Sequence, residues 1–298
     1  MELYPTQEGF LGEIARGFTF AQVARLAAGF GERVRAEGLR RAVVAHDARF
    51  LAKEMAEEAA GVLAGLGLET HLLRGPTPLP LFGFALEERE AAGFYLTAGR
   101  RPARYQGVRL RLGPGLPLAP QDLPLSERAP EARGSFQPLD LKKAYLERLA
   151  QSAGEGAKEK KGVVYLDTLG GAGGGVMPQA CKLLGLQVEL RELHPLPHPL
   201  FYGVDPDPRP ENLGTLLALL RAQEPPAAGF ALDGDGDRLA VILPGGEVLP
   251  PQEALARLQE ALGGLEVEAD GEGGYLFPWH LKERDPFLAA LLLLKVLL

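Results

Sequence analysis

From Phe20 to Ala36, apolar side chains recur every three or four positions with Arg25, Glu32, Arg33 and Arg35 between them, which is the spacing of an amphipathic helix. The period then changes. Arg41 to Ala45 is a short apolar run that predicts a buried strand, closed by the polar turn His46-Asp47-Ala48-Arg49. Lys53 to Leu66 predicts a second helix, and Glu69 to Leu73 and Ala91 to Thr97 predict two more strands. A Pro/Gly-rich stretch from Gly113 to Pro138 predicts a domain boundary. Beyond it the alternation resumes: a helix over Leu139 to Gln151, a strand over Gly162 to Leu166, a glycine loop over Gly170 to Gly175, and a helix running to Leu184. A short strand at Val188 to Leu190, a helix at Glu211 to Ala222 and a strand at Gly229 to Leu232 follow. A further helix starts at Pro251, and Phe287 to Leu298 is apolar on nearly all sides, with Asp285 and Pro286 suited to the N-cap and first turn. Alternating strand and helix patterns of this kind belong to α/β layers.

Composition narrows the function classes. The 298 residues carry a formal charge of −7 with 46% hydrophobic residues, so there is apolar surface for real cores and no basic run to bind nucleic acid. The C-terminal apolar run is interrupted by Lys295 and falls short of the ~20 residues a membrane span needs, so no membrane partner is expected. A single cysteine, Cys181, excludes an internal disulfide and reads as a packing residue. With no basic-then-apolar leader at the N-terminus, the expected location is cytoplasmic.

The chemistry concentrates in Ala231-Leu-Asp-Gly-Asp-Gly-Asp-Arg-Leu-Ala-Val-Ile242, where Asp233, Asp235 and Asp237 occupy alternate positions. Three neighbouring carboxylates repel one another, so the segment requires compensating positive charge. An EF-hand is excluded, because Arg238 and Pro244 stand where that motif needs its glycine and its last acidic ligand. A tight loop after a strand, with Gly234 and Gly236 giving backbone freedom, instead gathers oxygens suited to Mg²⁺, and Arg238 is placed to meet the same phosphate.

This loop resembles the D-G-D-G-D-R magnesium loop of the phosphohexomutases, the phosphoglucomutase and phosphomannomutase superfamily. Other segments match that family in order: His46-Asp-Ala-Arg-Phe-Leu51, Pro76-Thr-Pro-Leu79, and Phe201 to Leu213. The resemblance implies an α/β fold with two complete domains, residues 1–135 and 136–250, and a reduced third domain, 251–298, with no counterpart of the family's fourth domain. It implies Mg²⁺ as cofactor, a phosphorylated hexose as ligand, and intramolecular phosphoryl transfer as the family reaction.

The other half of that reaction departs from the pattern. Where the family reads T-A-S-H-N-P-x-x-Y-N-G-x-K around its phosphoserine, this chain reads Thr97-Ala-Gly-Arg-Arg-Pro-Ala-Arg-Tyr-Gln-Gly-Val-Arg109. Gly99 stands at the nucleophile position and has no side chain to phosphorylate. Arg100 replaces the histidine and Arg109 the lysine; an arginine stays protonated and makes a poor proton shuttle. Leu11 stands where the family has a phosphate-contacting arginine, and the sugar loop is reduced to Ala269 to Gly274. The resemblance therefore assigns metal binding to Asp233, Asp235 and Asp237, and phosphate or sugar contact to Arg100, Arg101, Arg109, Arg238, Asp270 and Glu272, with no intact catalytic nucleophile. Two functions follow: a catalytically impaired relative that keeps a metal and phosphosugar site, with weak magnesium binding, or an active phosphohexomutase using Mg²⁺ and a hexose bisphosphate.

Several residues carry a plainer reading. Asp47 and Arg49 read as a turn-stabilising pair, the glycine loop as packing or as a phosphate cradle, and His194, His198 and His280 as surface or packing residues. Tyr275 and Trp279 read as core, or as a sugar-stacking face. Arg100, or failing that Arg101, is expected to reach toward the aspartate loop and supply part of its counter-charge. The apolar helix from Phe287 is expected to seek a second copy, giving a homodimer.

Overall fold

The computed structural model describes residues 3–123, 130–154, 159–223 and 227–298, so residues 124–129 of the Pro/Gly-rich stretch lie outside the described residues. The chain divides into two compact units, one made of Met1–Thr77 and Leu81–Leu141, the other of Pro78–Pro80 and Lys142–Leu298.

In the first unit, short strands β1 (Tyr4–Pro5) and β2 (Gly9–Glu13) lead to α1 (Phe20–Ala36), whose N-cap Thr19 accepts a hydrogen bond from the Gln22 amide at 3.3 Å. There follow β3 (Arg41–His46), α2 (Ala52–Gly65), β4 (Glu69–Leu73), α3 (Leu79–Arg89), β5 (Ala92–Leu96), β6 (Tyr105–Gly113), β7 (Leu116–Pro117) and β8 (Gln137–Leu139). Their order across the sheet is β1-β2-β6-β5-β3-β4-β8, with β7 beside β6. Strands β5, β3, β4 and β8 run parallel to one another, β6 runs antiparallel to β5, and β2 antiparallel to β6. Val23, Phe30 and Val34 of α1 meet Val44, Phe94 and Leu110 of the sheet in one buried core. The parallel register brings the ends of β3 and β5 to one edge, where the Asp47 amide donates to the Leu96 carbonyl at 3.0 Å.

The second unit contains α4 (Lys142–Ala153), β9 (Val163–Asp167), α5 (Val176–Leu184), β10 (Glu189–Leu193), α6 (Gly214–Ala222), β11 (Ala227–Leu232) and β12 (Leu239–Ile242). It ends with α7 (Pro251–Leu262), the two-residue strands β13 (Glu268–Ala269) and β14 (Tyr275–Leu276), and α8 (Pro286–Leu297). The sheet order is β10-β9-β11-β12, the first three parallel and β12 antiparallel to β11. The loop after β9 and the aspartate loop after β11 therefore leave the sheet at the same end, where parallel α/β sheets carry their ligands.

Helix α8 is capped by Asp285, whose carboxylate accepts from the Phe287 and Leu288 amides at 2.9 and 3.0 Å. The same carboxylate binds the Tyr145 hydroxyl and the His280 ring, each at 2.9 Å, so the helix start is anchored to α4. From Pro286 to Leu294 every residue of α8 is buried, packed against α4, α7, β11 and β12. The apolar surface from Pro286 to Leu294 is thus covered by the chain itself, with Lys295 to Leu298 half-buried. Among the described residues no helix is long and apolar enough to cross a membrane.

Candidate functional site

In the first unit, the loop that resembles the phosphoserine motif is built around Arg49. Its guanidinium uses all five N–H groups: Nε on Asp47 Oδ2 at 3.0 Å, Nη1 on the Pro102 and Tyr105 carbonyls at 3.0 and 3.1 Å, and Nη2 on those of Gly99 and Arg101, each at 2.7 Å. Asp47 also accepts from the Arg49 amide at 2.9 Å, and the two side chains are fully buried. The pair is therefore structural, as the plainer sequence reading holds, but its reach extends over fifty residues to shape the 99–105 loop. Gly99 sits buried in that loop at φ +55°, a left-handed conformation that suits glycine, with its amide on Thr97 Oγ1 at 2.9 Å. Arg100 is half-buried and Arg101 exposed.

Arg109 lies on β6, where its Nε comes within 3.8 Å of Glu8 Oε2, while buried Arg111 reaches the same oxygen at 3.1 Å. Glu8 belongs to the segment that departs from the family's arginine loop, so an acidic group there draws both arginines of β6 toward β2. Leu11 pairs with Gly107 across β2 and β6.

In the second unit, Asp233, Asp235 and Asp237 are all buried, and each offers one carboxylate oxygen within 4.8 Å of the others. The loop folds back on itself: Asp233 Oδ1 accepts from the amides of Asp237 and Arg238 at 2.7 and 3.1 Å, and Gly236 turns the chain at φ +63°. An all-oxygen, anionic donor set of this kind fits a hard divalent cation such as Mg²⁺.

The sequence points to Arg100 and Arg101 for the counter-charge of this loop. A guanidinium of the loop's own unit is placed on it. Arg284 sets Nε 2.6 Å from Asp237 Oδ1 and donates from Nη2 to Oδ2 at 3.1 Å, while Nη1 meets Asp270 Oδ2 at 2.8 Å. Arg238 then pairs with Asp270 at 3.3 Å and with Glu272 at 3.0 Å. Asp237, Arg284, Asp270, Arg238 and Glu272 thus form a chain of alternating charge from the aspartate loop to the 269–274 turn. Periodicity gives no signal for Arg284, whose single mark is its place just before the α8 cap.

The glycine loop packs closely against its neighbours. A Cβ at Gly171 would lie 2.7 Å from the Gly234 carbonyl oxygen and one at Gly174 only 1.9 Å from that of Pro195. The Ala172 amide donates to the Gly234 carbonyl at 3.0 Å, and the Gly175 amide at the start of α5 already has an anion, Glu192, at 2.9 Å. This loop supports the aspartate loop. Burial raises the Glu192 carboxyl above its usual range and pushes the Cys181 thiol up to about 11, which keeps that cysteine an unreactive packing residue. Tyr275 is buried, its hydroxyl pushed up to about 12 by desolvation and then by Asp270, so it is core and not a sugar platform. Trp279 is half-buried, donating from Nε1 to the Glu266 carbonyl at 2.8 Å. His280 is buried against Ser152 and Asp285, and His194 bonds Asp167 at 2.9 Å and meets the tilted ring of Tyr202, on which His198 stacks.

Comparison with known proteins bears on both loops. Residues 2–125 match the family profile described as phosphoglucomutase/phosphomannomutase, alpha/beta/alpha domain I, and residues 143–246 match domain II. A Methanothermobacter thermautotrophicus (strain Delta H) protein assigned as a phosphoglucosamine mutase is 30% identical over 201 residues, covering 64% of this chain and 43% of that protein. The phosphoglucomutase/phosphomannomutase of Thermococcus kodakarensis is 28% identical over 257 residues, covering 80% and 56%. A Thermus thermophilus crystal structure assigned as a phosphomannomutase superimposes with a TM-score of 0.88 at 35% identity, covering 98% of this chain and 79% of that one. The chain spans about half the length of these sequence relatives, 43% and 56%.

Proposed function

Because the chain belongs to the phosphoglucomutase/phosphomannomutase family, we propose that it binds a phosphorylated hexose together with a divalent cation and does not relay a phosphoryl group through residue 99. The carrying observation is Gly99 itself, set in a loop whose backbone shape is fully supported by Arg49. Covalent transfer needs an oxygen, sulfur or nitrogen nucleophile at that point, and a glycine offers none.

Asp233, Asp235 and Asp237 are the residues that would hold the cation, whose contribution is to offset the charge of a phosphate dianion. Arg100 and Arg101 carry guanidinium groups that suit bidentate contact with phosphate. Arg109 serves charge and not proton transfer, since a guanidinium keeps its proton. Arg238 holds the 269–274 turn through Asp270 and Glu272, where the family's sugar loop would lie.

The intact aspartate triad favours a second reading, an active phosphohexomutase using Mg²⁺ and a hexose bisphosphate. Incubation with glucose 1,6-bisphosphate and Mg²⁺, followed by intact-mass analysis and a coupled mutase assay against a serine-bearing relative, separates the two. We expect calorimetric binding of hexose phosphate, no phosphoryl adduct and no turnover. An adduct or turnover would establish the second reading, and absence of phosphosugar binding would sink the first.

A further inference from the structure

Arg284 touches both acidic loops of the second unit: Asp237 through Nε and Nη2, Asp270 through Nη1. Asp270 in turn organises the 269–274 turn, its Oδ1 accepting from the Glu272 and Gly274 amides at 2.8 and 3.0 Å. The Arg284 guanidinium therefore occupies the edge of Asp237 on which a cation at the triad would also draw. Two positive groups competing for one buried carboxylate repel each other, and the one with a second anchor is the one that can move.

Resting on the metal reading above, we propose that Arg284 is a built-in counter-cation, and that a divalent ion entering the aspartate triad displaces it from Asp237 toward Asp270, so that cation binding is coupled to the 269–274 turn. Arg284 acts through Asp237 and Asp270 and is a positioning residue. The fork matters as well as the charge, because the planar guanidinium donates to Asp237 and Asp270 from different nitrogens in one fixed geometry, which a rotating ammonium does not reproduce.

The protein carries its own reporter. Trp279 is the sole tryptophan in 298 residues; it lies five positions before Arg284, with its indole against Phe277 at 5.7 Å between ring centres and bonded to the Glu266 carbonyl ahead of β13. Magnesium titration is followed in parallel by calorimetry and Trp279 emission, for the unaltered chain and for Arg284→Ala, Arg284→Lys and Asp270→Asn. The unaltered chain should show both signals on one isotherm. Arg284→Ala should bind Mg²⁺ about 10-fold tighter, within the usual range of coupling between sites, should melt lower without metal, and should lose the emission response. Arg284→Lys should keep the weak affinity and lose the response. Asp270→Asn, which preserves the turn's hydrogen-bond acceptor, removes the second anchor and should weaken Mg²⁺ binding while blunting the response.

Equal or weaker binding by Arg284→Ala would overturn the inference and make Arg284 a simple orienting partner of Asp237. Calorimetric binding by the unaltered chain with no change at Trp279 would also overturn it, leaving the metal reading intact. Absence of binding in every variant would remove the metal reading itself and this inference with it, whereas binding that emerges only in Arg284→Ala would support the displacement directly.

Discussion

The 97–105 loop of the first unit and the 233–238 loop of the second each meet an arginine–aspartate pair, fully buried in the first and with a partly exposed arginine in the second, and the charge sits in different places. In the first, Arg49 and Asp47 lie behind the loop and grip its backbone carbonyls, so the loop's shape is nearly independent of its side chains. In the second, the aspartates are the loop, and Arg284 neutralises one of them from in front. A backbone-gripped loop can carry a glycine, as at Gly99, without losing conformation. A loop made of buried carboxylates cannot change a residue without leaving charge uncompensated. The resemblance read along the sequence runs the same way: Asp233 to Arg238 keep the D-G-D-G-D-R pattern, whereas Gly99 and Arg100 depart from the other motif.

The largest test of this contrast is Arg49→Ala, which strands the buried Asp47 carboxylate and four loop carbonyls. It should cost about 3–5 kcal/mol of stability by urea denaturation, and Mg²⁺ should not restore it. Arg284→Ala removes a pair whose arginine is partly exposed, and should cost about 1.5–3 kcal/mol. Added Mg²⁺ should recover part of that loss, because a bound cation stabilises the native state by mass action. Equal losses, or equal rescue, would erase the distinction between the two loops.

Gly99→Ser tests whether the first loop still accepts a side chain. At φ +55° a non-glycine residue carries about 1–2 kcal/mol of strain, partly offset by about 0.4–1 kcal/mol from a less flexible unfolded chain. A net loss of about 1 kcal/mol in the denaturation midpoint is expected. A stabilised variant would show that the loop relaxes, and that backbone grip matters less than we hold.

The smallest effect concerns His46, which ends β3 beside Asp47. Burial holds its imidazole below the ordinary value of 6.5, against the raising pull of the Asp47 backbone and the charges of Asp47, Glu54 and Glu57. Its ring donates from Nδ1 to the Asp47 carbonyl at 2.8 Å. Above pH 6.5 the ring is neutral in both the folded and unfolded chain. Below that value the unfolded state takes up the proton first, so stability falls as pH drops toward the folded-state pKa. Thermal melts from neutral to mildly acidic pH should show a shallower acid-side loss for His46→Gln than for the unaltered chain, with His71, lowered the same way, keeping some slope in both. Parallel slopes would exclude His46 as a contributor.

Much of the fold was legible along the chain. Helix α1 and strand β4 have the ends that periodicity predicts, α5 ends at Leu184 as predicted, and β3, β5, β9 and β11 differ by one or two residues. Elements without a clean period were not. Helix α3, with Pro80 and Gly83 inside a short apolar run, is mostly buried and shows no polar stripe. Strand β6 alternates Val108, Leu110 and Leu112 with two arginines, but its start coincides with the family motif and reads as loop. Strand β8 is three residues at a sheet edge, where the sequence predicts the start of a helix.

By itself the sequence determined the α/β alternation, the family, the aspartate triad and the glycine at position 99, because each is written in local spacing or in a contiguous motif. Tertiary structure alone decided the partners. Asp47 and Arg49 are two residues apart, yet what Arg49 grips lies fifty residues on. Arg284 reaches back forty-seven positions to Asp237, and α8, apolar on every side, packs against β11, β12, α4 and α7. A buried charge specifies that some counter-charge must come, and an apolar face that some surface must cover it. Which residue answers depends on the path of the chain between them, and no local pattern encodes that path.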